Sequence, residues 1–163
     1  MKQAEVTIED RPVISAANVR AEATGEPAAA IELPDGRIIT GKTSTLLGAT
    51  SAMLLNALKA LAEIDDNVQL ISPATIGPIQ DLKVKHLGNR NPRLHTDEVL
   101  IALSICAATD ETAKRAMEQL QHLKGSEVHT SVILSQIDMN VMRKLGINLT
   151  CEPTYQSQKL YHK

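Results

Sequence analysis

From residue 11 to residue 151 the chain alternates stretches of helical apolar spacing with short runs of β-branched residues, and that pattern leaves it few folds. A helix must bury one stripe and a strand one or both faces, so the two kinds of element have to pack on each other as layers. Residues 11–24 read as a helix, with Asp10 to cap it, Pro12 in its first turn and Gly25 to end it. Residues 28–33 and 37–40 read as two strands joined by the turn Pro34-Asp35-Gly36. A long helix capped by Thr43 or Ser44 runs to Ile64, with Leu47, Leu54, Leu58 and Leu61 at helical steps. Residues 68–71 read as a short strand. Ser72-Pro73 then opens a helical stretch that breaks near Gly77-Pro78 and ends by Gly88. Thr96 caps a helix over 97–108, and Asp110 caps another over 111–123 that Gly125 stops. Residues 127–134 and 147–151 read as strands, with a helix between them that starts at Ser135 and Asp138 and ends at Gly146. The expected fold is a layered α/β/α domain, and its hairpin makes the sheet mixed.

The core of such a domain has to be aliphatic here. There is no Phe and no Trp, and both tyrosines, Tyr155 and Tyr161, lie near the C-terminus. Aromatic platforms for stacking bases are therefore missing, and a net charge of −2 lacks the basic surplus that nucleic-acid partners require. Nucleic acid is excluded as a partner on this reading. So is a membrane, because the longest apolar run, residues 99–108, is too short to span one. With no signal-peptide core at the N-terminus and Cys106 set in an apolar helix as a free thiol, the expected location is the cytoplasm. The expected organisation is an extension over 1–10 with a weak strand at 5–9, a domain over 11–151 and a tail over 152–163. In that tail Tyr155, Leu160 and Tyr161 are expected to pack onto a surface.

Residues 36–43, GRIITGKT, match the phosphate-loop pattern GxxxxGK[ST] letter for letter. The context is wrong, however. Arg37-Ile38-Ile39-Thr40 prefers a strand, and a phosphate loop must wrap its backbone around the ligand. Nucleotide binding through Gly36 to Thr43 is thus the weakest reading. A milder one keeps Gly41, Lys42, Thr43 and Ser44 at a helix N-terminus, where free N–H groups attract an anion. The polar stretch NRNPRLH places Arg93 and His95 just before another helix start. His129 interrupts an apolar strand. Its plain reading is a hydrogen-bonded strand residue, and its sharper reading is a residue facing a cleft together with Thr130 and Ser131. No HExxH, CxxC or GxSxG is present, so no metal site of common spacing is written in the chain and no motif names a cofactor.

Four long stretches carry a resemblance. They are GEPAAAIELPDGRIITGKTSTLLGA, NPRLHTDEVLIALSICAAT, HTSVILSQID and RKLGINLTCEP followed by YQSQKLYHK. In them the chain resembles the C-terminal part of the bacterial family named domain of unknown function 1846, also called uncharacterised protein family 0371. The resemblance implies relatives roughly three times this length, with a large N-terminal α/β region. Met1 then reads as an internal start, a boundary or the start of a separately encoded fragment. It also implies a topology related to the cytidine-deaminase class, although the HxE and PCxxC of deaminase chemistry are missing here. Some relatives carry the label of ATP-dependent peptidase, which no motif in this chain supports. The family commonly has Cys where this chain has Ser126.

Three readings follow. In the first, the domain contributes to a small anionic-metabolite site completed by an N-terminal region. Lys42, Thr43, Ser44, Arg93 and His95 bind the ligand and His129 serves as acid or base. In the second, it is a structural module that packs against sister chains or that N-terminal region, without chemistry of its own. The third is the nucleotide site. No complete catalytic set is present, so none of the three makes the chain an enzyme by sequence alone.

Overall fold

In the computed structural model residues 12–152 are described. The strand expected at 5–9, the cap at Asp10 and the contacts expected of Tyr155, Leu160 and Tyr161 lie outside the described residues.

Four strands form one mixed sheet in the order β2-β1-β3-β4. They are β1 (Ala28–Glu32), β2 (Ile38–Lys42), β3 (Glu127–Thr130) and β4 (Asn148–Cys151). β1 runs antiparallel to both β2 and β3, and β3 runs parallel to β4. The helices are α1 (Pro12–Thr24), α2 (Ala49–Ala62), α3 (Pro73–Asp81), α4 (Thr96–Ala107), α5 (Glu111–Met117) and α6 (Gln136–Lys144). α3 runs on into a π turn over Leu82–His86, and α5 into a 3-10 turn over Glu118–Leu123. No helix among the described residues is long and apolar enough to cross a membrane.

Alternation along the strands sorts the layers. Ala29, Ile31 and Val128 face a large aliphatic core with Met53, Leu54 and Leu58 of α2 and Leu103 of α4. Ala30 faces the other way, onto Val13 and Ala17 of α1. The three consecutive alanines of β1 keep both faces of the sheet low, so helices approach closely on each side. Each fully buried Leu, Ile, Val or Met side chain contributes about 1.5–3 kcal/mol, so a core without aromatic rings still suffices.

The structure moves several boundaries. β2 continues to Lys42, and Thr43 N extends the ladder by donating to the Pro27 carbonyl at 2.9 Å. Neither Thr43 nor Ser44 therefore caps the long helix. That helix starts at Ala49 behind Gly48, while the Ser44 hydroxyl accepts from the amides of Leu46 and Leu47 and closes a turn. Leu47, expected inside the helix, instead pairs with Leu94 in an isolated parallel bridge. Residues 68–71 do not join the sheet. The Lys59 ammonium donates to the carbonyls of Asp66 and Val68, which holds this segment as a turn over the buried Leu70 and Ile71. α3 passes through Pro78 without a break, and the irregularity falls four residues later, in the π turn. Thr96 is the first residue of α4, and His95 is its cap. β3 stops at Thr130, where the Thr130 hydroxyl turns back to the Val132 carbonyl at 2.7 Å, so residues 132–134 leave the sheet. The two cysteines are free and half-buried.

The phosphate-loop pattern has a packing explanation. Ile38 to Lys42 is a strand paired with β1, so no loop is present to wrap a phosphate. Gly41 is where the α2 backbone crosses β2. A Cβ there would meet Met53 N at 2.3 Å and Met53 Cα at 2.7 Å. Backbone cannot swing aside as a long side chain can. Gly41→Ala is expected to destabilise the fold by about 2–3 kcal/mol, the usual scale of overpacking. Urea unfolding measures it, and an alanine variant as stable as the parent would show that α2 and β2 do not approach this closely.

Candidate functional site

Three helices begin around one cavity of about 390 Å³. Gly48, Ala49, Thr50 and Ser51 bring the start of α2, His95 the start of α4, and Ser135 and Asp138 the start of α6. Pro27, Thr43 and Thr130 bring strand ends to the same place. A helix start leaves its first N–H groups unpaired and carries a partial positive charge of roughly half a unit. At α2 nothing offsets this. Gly48 has no side chain to cap with, and the amides of Ala49, Thr50 and Ser51 make no hydrogen bond to a described residue.

The starts of α2 and α4 are locked together through Leu94. Its carbonyl accepts from Gly48 N at 3.3 Å and from Ser51 Oγ at 3.0 Å, and its own amide donates to the Leu46 carbonyl at 3.0 Å. α4 and α6 are locked through Asp138. One carboxylate oxygen accepts from Thr96 N at 3.0 Å and from Thr96 Oγ1 at 2.7 Å. The other faces His95 Nδ1 at 3.6 Å. The two groups shift each other. The Asp138 carboxylate raises the pKa of His95, against the burial that lowers it. Burial pushes the Asp138 carboxyl up, but the neighbouring His95 ring and the hydrogen bonds from Thr96 outweigh it and hold the group below the usual carboxylate range.

Arg93 is fixed in the same way. Its Nε donates to the Ser44 carbonyl, and no carboxylate pairs with it among the described residues. Beneath it, the buried ammonium of Lys83 donates to the Arg93 carbonyl and to Glu98 Oε1, the latter at 2.7 Å. Glu98 Oε1 also accepts the His95 amide at 2.8 Å. Arg93 and His95 are therefore set by backbone contacts rather than left on a free loop.

Of the side chains singled out from sequence, the structure brings Thr43, Arg93 and His95 to this cavity. Lys42 is exposed at the end of β2, and Ser44 is exposed with its carbonyl turned to Arg93. Neither is among the lining residues. His129 lies on the opposite face of the sheet. Its Nδ1 meets Thr150 Oγ1 at 2.7 Å and its Nε2 meets Glu152 Oε2 at 2.8 Å. Glu152 also accepts from Asn18 of α1, and these two contacts, Asn18 first, hold its carboxyl below the usual range. Thr130, one residue along β3, points the other way and lines the cavity. Sequence reasoning missed the buried residue Thr50 and the roles of Asp138 and Lys83. Ser135-x-x-Asp138 reads as an ordinary local cap, and nothing local shows that the carboxylate crosses to α4 instead.

The family described as domain of unknown function DUF1846, C-terminal, matches residues 9–161. A UPF0371 protein of Corynebacterium glutamicum (strain R) is 57% identical over all 163 residues, and one of Corynebacterium efficiens is 56% identical. One of Streptococcus pyogenes serotype M5 (strain Manfredo) is 55% identical. In each case the match covers 100% of this chain and 33% of the relative, so the chain spans about a third of the length of these curated relatives.

Proposed function

This chain belongs to the DUF1846 family, matching its C-terminal domain, and from that premise we propose that it supplies a small-anion binding site to the longer proteins of the family. The observation that carries the reading is the uncapped start of α2. It opens, with the largely buried residues Thr43 and Thr50, onto a cavity that Arg93 also lines. Neither hydroxyl is engaged by another described residue, although each threonine as a whole is more than nine-tenths buried. Amides and hydroxyls at one cavity, with a cation that no carboxylate pairs with among the described residues, are what a phosphate or carboxylate group needs. On this reading Thr43, Thr50, Arg93 and the amides of residues 49–51 hold the anion. Ser44 acts by holding Arg93, and Lys42 adds charge from the surface. The proton-carrying role falls to His95 rather than to His129, whose two ring nitrogens are already taken.

Inorganic phosphate at about a hundredfold excess over its dissociation constant should stabilise the chain by about 2.7 kcal/mol, seen as a rise in melting temperature. Arg93→Ala should weaken that binding about tenfold or more, since a charge-assisted hydrogen bond contributes about 1.5–3 kcal/mol. A melting temperature that responds to phosphate no more than to chloride of equal ionic strength would sink the proposal.

A second reading, an assembly surface, has its own observation. Residues 99–109 contain no charged residue, yet Ile101 and Ile105, one turn apart on α4, are each 59% exposed. A helix apolar all round is normally covered. The cover we infer is the further polypeptide that makes up the rest of each relative. The part of the C. glutamicum relative outside the match, mixed with this chain, should co-elute with it. The double variant Ile101→Glu, Ile105→Glu should abolish that. Failure of the parent chain to co-elute, or a self-dimer lost in the same variant, would refute this occupant.

A further inference from the structure

The cavity contains an ionisable pair that a monoanion site does not require. Asp138 lines it with a side chain 11% exposed, one oxygen saturated by Thr96 and the other toward His95. His95, 34% exposed, turns Nδ1 to Asp138 at 3.6 Å, on the side of the ring that faces the first turn of α4. Nε2 is therefore the nitrogen left for a ligand.

We propose that His95, protonated and held by Asp138, makes this a site for a dianionic tetrahedral group of the phosphate monoester class rather than for a monoanion such as a carboxylate. The proposal rests on the anion site described above and names its ligand class. The charges decide it. With His95 neutral, Arg93 and Asp138 cancel and leave the partial charge of the helix starts, roughly half a unit each. Protonation of His95 masks Asp138 and adds a full unit, which suits a group bearing two negative charges. The other charges near the ring do not reverse this. Lys83 disfavours the imidazolium and Glu98 favours it, and the two pair with each other at 2.7 Å. Asp97 lies on the first turn of α4, and the α2 residues that line the cavity are uncharged.

Sulfate is the probe for the core of the site, because it keeps two charges across the whole pH range used, and acetate is the monoanion control. Calorimetry should show sulfate binding at least tenfold tighter than acetate near pH 6. Sulfate affinity should fall about tenfold between roughly pH 6 and roughly pH 8.5, as the imidazolium is lost. In His95→Asn, which keeps a good N-cap residue, the fall should disappear. In Asp138→Asn it should move to lower pH, because the carboxylate that favours the imidazolium is gone; a merely structural role for Asp138 would not move it. Glycerol phosphate competing with sulfate as well as inorganic phosphate does would support the monoester class, and binding of inorganic phosphate alone would overturn it. Equal affinity for sulfate and acetate, or a pH profile unchanged in His95→Asn, overturns the proposal while leaving the anion site standing. Binding of no anion at all overturns both.

Discussion

The backbone of Leu94 is the constraint on which the rest of this molecule turns. The residue is fully buried, and its peptide groups join the segment after β2, the first turn of α2 and the start of α4. An unmet buried carbonyl is costly, so the two helix starts that meet it are fixed relative to each other. The Leu47 to Leu94 bridge places Arg93 and His95 on either side of this point. Two helices that begin side by side turn their N-terminal ends into the same space, where the amides of α2 stay free while Asp138 takes the first amide of α4. The cavity is therefore a consequence of how α2 and α4 are tied.

Asp138 extends the same logic to α6. A carboxylate this buried needs partners, and it has hydrogen bonds from an amide and a hydroxyl with an imidazole 3.6 Å away. Lys83 and Glu98 do for the loop below what Asp138 does for the helix above. The pair of buried Lys83 and half-buried Glu98 adds little net stability on its own account, because desolvation offsets attraction. What it adds is position, since both members also bind the backbone of residues 93 and 95. The opposite face of the sheet has a separate polar cluster, in which His129 and Glu152 tie β3 and the end of β4 to Asn18 of α1. Ser126, at the start of β3, is the one buried side-chain polar atom without a hydrogen bond among the described residues. A cysteine, which asks for less, fits such a place well.

How much of this is legible in the sequence depends on how local the cause is. The hairpin at Pro34-Asp35-Gly36, the caps at Ser72, Asp110 and Ser135, and the stops at Gly25, Gly125 and Gly146 are local, and each stands where the residues put it. The layered α/β architecture and the mixed sheet follow from the same signals. The start of α2 is displaced because Thr43 and Ser44 look like caps, while a ladder bond to Pro27 and a bridge to Leu94 claim that segment first. Val68 to Ile71 has strand composition but pairs with neither edge strand of the sheet and is held instead by Lys59. Arg93 and His95 stand out as polar residues before a helix start. Asp138 and Lys83 do not, because their partners lie 42 and 15 residues away along the chain.

The central claim is that the first amides of α2 receive an anion. Amide chemical shifts followed by heteronuclear NMR during titration with inorganic phosphate test it most directly. The account predicts saturable shifts at Ala49, Thr50 and Ser51, with Arg93 and His95 moving on the same isotherm. Shifts that never saturate, or that fall on exposed lysines and leave residues 49–51 unmoved, would contradict it.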